Sequence, residues 1–125
     1  MMLERAPYGD IAPYASKAKK EGVSVSDTRQ TSWFWGHSPA GRIGFCALLC
    51  APKGFVRVKG VYVFPAHRGQ GFGTAMTEEL IRYAQDDQLA SRLEAIAWNP
   101  AWYEARGWHK VKKRTNGAYT VRKIT

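Results

Sequence analysis

The chain of 125 residues is long enough for one domain with a buried core, and its 45% hydrophobic and 13% aromatic content argues against disorder. Lysine and arginine outnumber aspartate and glutamate 19 to 10, and the net charge of +9 permits a polyanionic partner. No apolar run approaches the roughly 18 residues of a membrane span, and residues 1–5 contain no signal-peptide core. We therefore expect a cytoplasmic protein with no membrane partner.

A strand and a helix are predicted at the start of the chain. Residues 2–6 have the composition of a short strand. Asp10 is expected to cap a single helix that runs to Lys20, and Gly22 is expected to end it. The buried stripe predicted for this helix consists of Ile11, Tyr14, Ala15 and Ala18.

Three further strands are predicted, separated by turns. The strands cover residues 31–36, 42–51 and 55–64, with turns at 38–41 and 52–54. Gly60 interrupts the last of these strands. Because glycine within a strand indicates a bulge or a close backbone approach, we expect an irregularity there.

The two cysteines and three histidines predict neither a disulfide nor a metal site. Cys46 and Cys50 lie on one predicted strand with their Cα atoms about 13 Å apart, beyond the roughly 7 Å limit of a disulfide. We expect both to be core thiols. His37, His67 and His109 are scattered without the spacing of metal ligands.

A glycine-rich turn between a strand and a helix is the most informative feature. Residues 61–65 are apolar and β-branched or aromatic, and apolar residues recur at helical spacing between Phe72 and Ala84. The first N–H groups of a helix have no intrahelical partner and lie at the positive end of its dipole, so they bind phosphate. The predicted cofactor-binding residues of this turn are Arg68, Gly69, Gln70, Gly71, Phe72, Gly73 and Thr74.

Two common phosphate-binding motifs do not match this turn. A dinucleotide fingerprint needs a third glycine where Thr74 stands, and no acidic residue ends a second strand nearby. A Walker loop needs a lysine after its glycines, and none follows here. The phosphate group therefore belongs to another kind of cofactor.

Two motifs in this chain resemble those of the GNAT superfamily of N-acetyltransferases. The pattern R-x-x-G-x-G that begins at Arg68 is similar to the family's acyl-CoA-binding signature. A short strand predicted at 94–98 is followed by a helix of about two turns with Pro100 at its first position. Within that block, Tyr103-x-x-x-Gly107-Trp108 is similar to the family's later motif Y-x-x-x-G-F. The resemblance covers residues 42–125 and is weak before them.

The resemblance implies an α/β fold with a mixed, mostly antiparallel central sheet flanked by helices. Asn116-Gly117 also predicts a C-terminal β-hairpin between strands at 108–115 and 118–124. The family has two helices between its first two strands, and only one fits here. We therefore expect a short, reduced member with a more open acceptor cleft.

Members of this family transfer an acetyl group from acetyl-CoA directly to an acceptor amine, which belongs to a small molecule or to a protein. By this resemblance, main-chain N–H groups around Tyr62 and Val63 polarise the thioester carbonyl, and residues 68–74 with Asn99 bind the coenzyme A. Tyr103 matches the position that protonates the departing thiolate. A phenol of pKa about 10 facing a thiol of about 8.5 suits that step.

The position at which many family members have a general base is not acidic in this chain. The strand position where many lysine-acetylating members have a glutamate corresponds to Arg57, and nearby Lys59 is basic too. Water, a main-chain carbonyl, His37 or Asp27 could take the proton instead. Alternatively, the acceptor is a weakly basic amine that attacks in its neutral form.

The basic C-terminal part leaves other hypotheses open. It could be a solvated face, receive coenzyme A, or attract nucleic acid. One alternative function is acyl transfer to a nucleic-acid base, as in some phage-encoded members, and another is a non-catalytic coenzyme A- or nucleic-acid-binding module. Either a monomer or a homodimer is compatible with the sequence.

The aromatic residues that could stack a base are Trp33, Phe34, Trp35 and Trp102. The basic residues are Arg106, Lys110, Lys112, Lys113, Arg114, Arg122 and Lys123, with no acidic residue among them.

Overall fold

A seven-stranded sheet forms the centre of the computed structural model, which describes residues 1–51, 55–87 and 90–124. Its strands are β1 (Met2–Ala6), β2 (Thr31–Ser38), β3 (Gly41–Cys50), β4 (Phe55–Val63), β5 (Arg92–Ala97), β6 (His109–Lys113) and β7 (Tyr119–Ile124). Their order across the sheet is β1-β2-β3-β4-β5-β7-β6. Neighbouring strands are antiparallel except β4 and β5, which run parallel.

Helices flank this sheet, which confirms the predicted fold class. They are α1 (Tyr8–Ile11), α2 (Ala15–Lys20), α3 (Phe72–Asp86) and α4 (Pro100–Glu104). Short 3-10 turns occur at Ala12–Tyr14 and Pro65–His67. The strands predicted at 31–36, 42–51 and 55–64 correspond to β2, β3 and β4, and the turn predicted at 52–54 lies outside the described residues.

The single helix predicted between Asp10 and Lys20 is wrong in its start and in its continuity. The residue before α1 is Pro7, in extended conformation with φ −68° and ψ 145°, so Asp10 lies in the first turn and not at the cap. Pro13 then falls in the 3-10 turn that separates α1 from α2. Proline has no N–H group to donate to the carbonyl four residues back, and this interrupts the α-helical ladder.

The stripe predicted for that helix is only partly buried. Ile11 and Ala18 are fully buried, and Ala15 is half-buried. Tyr14 is 38% exposed, although its ring lies 5.1 Å from that of Phe64. Although the helix is interrupted between α1 and α2, Ile11 and Ala18 still pack into the core. Tyr14 packs at the edge of that core.

The C-terminal hairpin has a longer connection than predicted. The Arg114 N–H group donates to the Ala118 carbonyl (2.7 Å), so three residues form the loop and not two. Gly117 has φ +92°, and its N–H group donates to the Arg114 carbonyl (3.0 Å). Asn116 accepts a hydrogen bond from the Ala118 N–H group through its side chain (3.0 Å). A three-residue loop with a left-handed glycine is the next commonest hairpin connection.

The bulge predicted at Gly60 is present in β4. Between Lys59 and Tyr62, β4 has one more residue than the stretch of β3 that it faces. Gly60 has φ +62°, and a Cβ atom there would lie 2.9 Å from the Trp33 ring. Both the backbone conformation and the close ring therefore require glycine at this position.

The parallel strands β4 and β5 separate next to the bulge at Gly60. Their ladder ends at Val58 and Ala95, although β4 continues to Val63 and β5 to Ala97. β5 remains paired with β7 along its whole length. The sheet therefore contains a cleft between the second halves of β4 and β5.

Two hydrophobic clusters lie on opposite faces of the sheet, because side chains alternate along each strand. One cluster packs against α3 and includes Ile43, Leu48, Met76, Leu80, Leu93 and Val121. The other packs against α1 and α2 and is rich in aromatic rings: Trp33, Trp35, Phe45 and Tyr62 with Ile11 and Ala18. Truncating a fully buried leucine such as Leu80 would cost about 2–5 kcal/mol.

Three of the four aromatic residues considered for base stacking belong to these cores. Trp33, Phe34 and Trp35 are only 2–3% exposed. Their proposed role in stacking an acceptor base is therefore wrong. Trp102 is half-buried.

Cys46 is a buried core thiol, as predicted, and Cys50 is half-buried. Both are free, and burial raises the pKa of each thiol. Among the described residues, no group of three His, Cys, Asp or Glu side chains could hold a metal ion. The helices in residues 1–51, 55–87 and 90–124 are all too short or too polar to cross a membrane.

Candidate active site

The glycine-rich turn presents free N–H groups at the start of α3. Gly71 is the residue before the helix and has φ +79°, and Gly69 has φ +78°. In the part of the chain that the structure describes, the N–H groups of residues 71–74 donate to no protein acceptor. A Cβ atom at Gly69 or Gly71 would meet nothing within 4 Å, so the space beside the turn is open. These N–H groups could bind anionic oxygens at the positive end of a 15-residue helix.

Arg68 lies beside this turn, but its guanidinium group already has protein partners. Nε donates to the Val63 carbonyl (3.0 Å), and Nη1 donates to Glu21 Oε1 (2.9 Å). Because the Arg68 side chain is 43% exposed and that of Glu21 33%, water screens this ion pair. The positive charge predicted for the phosphate site is therefore partly neutralised.

Glu21 connects Arg68 to the aromatic core. It also accepts a hydrogen bond from the hydroxyl of Tyr62, which is 3% exposed. The hydrogen bond from Arg68, followed by that from Tyr62, lowers the pKa of Glu21. Burial, followed by the hydrogen bond to Glu21, raises the pKa of the Tyr62 phenol. The Tyr62 side chain is thus a buried, hydrogen-bonded part of the core.

The main chain of β4 directs one predicted donor into the cleft. The Phe64 N–H group donates to the Ile43 carbonyl on β3 (2.9 Å). Backbone groups alternate in direction along a strand, so the N–H and C=O groups of Val63 point away from β3. The Val63 carbonyl accordingly accepts its hydrogen bond from Arg68. By the same alternation, Tyr62 directs its N–H group toward β3.

A cavity of about 300 Å³ lies in the cleft, between α3, the end of β5 and α4. Of the predicted cofactor-binding residues, Gly73, Thr74 and Asn99 line it. Trp102 and Tyr103 of α4 close its far side. We name this space the α3 cavity.

A second cavity of about 550 Å³ lies on the other side of the opened strands. It is lined by the loop after α2 through Ser24, Ser26 and Thr28, and by β4 through Arg57, Lys59 and Gly60. Arg114 and Asn116 of the hairpin complete its wall. We name this space the β4 cavity.

The two cavities adjoin, because five residues line both of them. These residues are Val61, Thr77, Ile96, Trp98 and Tyr103. Trp98 is 63% exposed, an unusual position for an aromatic side chain of this size. Sequence reasoning placed it at the end of a strand and missed it as a site residue, although a tryptophan directly before the Asn-Pro pair was visible.

Tyr103 has its phenol at this junction. Its ring packs against Trp102 and Trp108, with centroids 4.9 and 5.0 Å away. The Trp108 N–H group donates to the Tyr103 carbonyl (3.1 Å), and Gly107 allows this return of the chain with φ +87°. Among the described residues, no hydrogen-bond partner contacts the Tyr103 hydroxyl, and burial raises its pKa. The phenol is therefore kept in its protonated form.

The carboxylate of β5 is bound by two arginines and is not free to act as a base. Glu94, paired with Arg57 across β4 and β5, accepts hydrogen bonds from Arg57 and from Arg122 Nη2 (3.1 Å). Burial alone would raise the pKa of Glu94, but the hydrogen bonds and charges of the two arginines outweigh it and lower the pKa. Glu94 is thus a buried counter-ion, with a side chain 6% exposed.

The two candidate bases named from the sequence have other partners. His37 pairs with Glu4 (2.9 Å) at the edge formed by β1 and β2 and lines neither cavity. Asp27 accepts a hydrogen bond from the Trp33 indole (3.0 Å) and also lines neither cavity. The structure brings neither of them to Tyr103.

Comparison with known proteins identifies the family. Residues 29–110 match the model of the acetyltransferase (GNAT) domain, which is more than half of the chain. The chain therefore belongs to the GNAT acetyltransferase family. Acetyl-CoA, the predicted cofactor, is the acyl donor of this family. No curated protein matches the chain in sequence.

Solved structures share the fold at low sequence identity. A Mycobacterium tuberculosis protein in complex with CoA has 13% identity and a TM-score of 0.75, over 100% of this chain and 99% of that chain. A Klebsiella pneumoniae protein described as a candidate acyl-CoA N-acyltransferase has 21% identity and a TM-score of 0.75, over 98% and 96%. N-acetylglutamate synthase from Neisseria gonorrhoeae, complexed with coenzyme A and N-acetyl-glutamate, has 18% identity and a TM-score of 0.72, over 98% and 34%.

Proposed function

We propose that this protein is an N-acetyltransferase that transfers the acetyl group of acetyl-CoA directly to a small acceptor amine. The observation that carries the proposal is the meeting of the two cavities at the Tyr103 hydroxyl, with free N–H groups at the mouth of one of them. The α3 cavity takes the cofactor and the β4 cavity takes the acceptor. Two neighbouring structures that contain coenzyme A support the first assignment.

The N–H groups at the start of α3 bind the pyrophosphate of the cofactor. Those of residues 71–74 have no protein acceptor in the described part of the chain, and phosphate oxygens would satisfy them. Arg68, Gly69 and Gln70 precede them in the turn. Gly73, Thr74 and Asn99 line the α3 cavity, where they would contact the pantetheine arm.

The Val63 N–H group polarises the thioester carbonyl. Because it points away from β3 into the cleft, it can donate to the oxyanion that forms during attack. The other residue predicted for this role, Tyr62, directs its N–H group toward β3, where it faces Phe45.

Tyr103 is the general acid. The amine nitrogen forms a bond to the carbonyl carbon, the carbon–sulfur bond breaks, and sulfur leaves with the electron pair. The Tyr103 hydroxyl then gives its proton to the thiolate, the amine loses one proton to water, and solvent returns a proton to the Tyr103 phenolate. A phenol at the junction of the two cavities, with no competing partner in the described part of the chain, is suited to this step.

A small-molecule acceptor is favoured over a nucleic-acid base. Trp33, Phe34 and Trp35 are buried and cannot form a stacking surface, which leaves Trp98 and Trp102 at the cleft. The β4 cavity, at about 550 Å³, has the size of a small-molecule site.

Calorimetric titration with acetyl-CoA, with NAD and ATP as controls, tests the cofactor assignment. We expect micromolar binding of acetyl-CoA alone. Release of free thiol in the presence of an amine panel then distinguishes an enzyme from a binding module. Binding of NAD or ATP in place of acetyl-CoA would contradict the proposal, and so would acetyl-CoA binding without thiol release.

A further inference from the structure

We infer that the acceptor amine carries an anionic group, a carboxylate or a phosphate, and that Arg57, Lys59 and Arg114 bind this group in the β4 cavity. The inference rests on the proposed function and adds the chemical class of the acceptor. It follows from the charges that line this cavity.

The described lining of the β4 cavity contains three cationic side chains and no carboxylate. Two of them, Arg57 and Lys59, lie on β4, and Arg114 lies between the end of β6 and the hairpin loop. Ser24, Ser26, Thr28 and Asn116 add hydroxyl and amide groups to the wall. Such a set suits oxygen anions, which take donors from several directions.

Lys59 has donors left for a ligand. Its Nζ atom donates to the Ser26 carbonyl (2.7 Å), which uses one of three N–H groups. Burial lowers its pKa, Asp27 opposes this shift, and the neighbouring charge of Arg57 adds to it. A bound anion would relieve both the burial and the repulsion.

Arg57 and Arg114 leave positive charge unbalanced around the cavity. Glu94 is shared by Arg57 and Arg122, so one carboxylate faces two guanidinium groups. The Arg114 side chain has no acidic partner among the described residues. Counting Lys59 with its neighbour Asp27, the cations around this cavity still outnumber the carboxylates.

The same charges favour a neutral amine, so that attack would not require a general base from the protein. Positive groups near an ammonium ion lower its pKa and favour the neutral amine, which is the form that attacks. A cationic acceptor with no negative group would be repelled from this cavity. An anionic group on the acceptor provides the attraction, and the positive charge that remains in excess around the cavity favours loss of the amine's proton to solvent.

The charge of coenzyme A does not explain this cavity. Its pyrophosphate has a separate site at the start of α3, and the α3 cavity has no arginine or lysine in its lining within the described residues. The three cations lie beyond Tyr103, on the side of the acceptor.

Matched acceptor pairs test the inference. Acetyl-CoA binding is first verified by calorimetry. We then measure kcat/KM for the 20 common amino acids against their carboxamides, and for O-phosphoethanolamine against ethanolamine. We expect at least one acid to exceed its neutral partner by about 10-fold or more, as loss of an ion pair with its hydrogen bonds commonly costs. The two series distinguish carboxylate from phosphate.

Substitutions in the lining of the β4 cavity test which residues cause the preference for an acidic acceptor. We expect Lys59→Gln and Arg114→Gln each to lower kcat/KM for the preferred acid about 10-fold more than for its neutral partner. Lys112→Gln removes the same charge from the exposed strand of the same hairpin, outside the cavity lining, and is expected to leave the preference unchanged.

Three results would overturn the inference while leaving acetyl-CoA binding intact: equal rates for acids and neutral partners, no acetylation of any acid, or an unchanged preference in both lining variants. Failure to bind acetyl-CoA would overturn the proposed function itself, and the inference with it. The two failures are therefore distinguishable.

Discussion

The α3 cavity and the β4 cavity adjoin at Tyr103 and four other shared residues, but the groups that they offer to a ligand differ. In the proposed function, the cofactor side would depend mainly on main-chain N–H groups, at the start of α3 and on β4 at Val63. The proposed acceptor side would depend on side chains from β4, the loop after α2 and the hairpin. A main-chain site tolerates change in side chains but not in backbone conformation, and a side-chain site has the opposite sensitivity.

Placing a side chain in the phosphate turn should give the largest effect. Gly71→Val should abolish acetyl-CoA binding, a loss beyond about 100-fold, because a β-branched residue is strained at φ +79° and occupies the open space beside the N–H groups. Calorimetry measures the affinity. The control is Gly41→Val, which introduces similar strain at φ +101° at the first residue of β3, also in open space. Similar loss in both variants would mean that strain, and not the site, explains the result.

Removing the phenol at the junction should separate catalysis from binding. We expect Tyr103→Phe to lower kcat about 100-fold, the usual contribution of a general acid, with acetyl-CoA affinity little changed. Tyr119→Phe makes the same change at a residue that lines neither cavity and should keep full activity. An unchanged kcat in Tyr103→Phe would reject the acid role.

The pH profile adds a second measure of Tyr103. Because burial raises its pKa, the acid stays protonated through the range near pH 10 where an ordinary tyrosine ionises. The alkaline loss of kcat in the wild type should therefore lie above that range, and Tyr103→Phe should lack it. A loss centred on an ordinary phenol pKa would contradict the environment described for this residue.

The acceptor side should be sensitive to the buried charge that holds Arg57. Glu94→Gln leaves two partly buried guanidinium groups without a carboxylate, and we expect a loss of about 3 kcal/mol in the free energy of unfolding. Glu79→Gln removes the surface partner of Arg82 and should cost less than about 1 kcal/mol. Urea denaturation compares the two variants, and equal effects would show that Glu94 is not a structural counter-ion.

The pH dependence of stability follows from the same carboxyl group. The folded pKa of Glu94 lies below its unfolded value, so its contribution is present above about pH 4.3 and is lost as the pH falls through the folded pKa. In Glu94→Gln, this part of the acid-induced loss should disappear.

The smallest effect should come from Arg68. Because its charge is paired with Glu21 and exposed to water, we expect Arg68→Gln to weaken acetyl-CoA binding only a few-fold, and less at high salt. Glu21→Gln should shift the affinity in the opposite direction, since it frees the guanidinium group. A large loss in Arg68→Gln would show that the side chain, and not the main chain, provides the phosphate site.

The difference between the two cavities also explains what could be predicted from the sequence. A main-chain site needs glycines at fixed spacing, and Gly69 and Gly71 therefore indicated the turn. Tyr103 could be predicted as a site residue because Gly107 and Trp108 follow it at the spacing of the family motif. By contrast, Glu21 reaches Arg68 and Tyr62 from more than 40 residues away, a contact that no local pattern contains.

The errors have local physical causes. Pro13 was not taken to divide the first helix, although a missing N–H group breaks the ladder. Asn116-Gly117 predicted a two-residue loop, but a hydrogen bond from Arg114 to Ala118 closes a three-residue one. The aromatic run from Trp33 to Trp35 was considered for base stacking, but strand alternation buries it in cores on both faces of the sheet.

Because β4 and β5 diverge after Val58, we expect backbone amides at the centre of the sheet to exchange their hydrogens at different rates. Amides that face the cleft, such as that of Val63, have no strand beside them to protect them from solvent, whereas those between β2 and β3 lie in a continuous ladder. Exchange should therefore begin at this seam and spread outward from it. Bound acetyl-CoA would act there as the missing strand, and its slowing of exchange would reveal where the cofactor lies without any assay of catalysis.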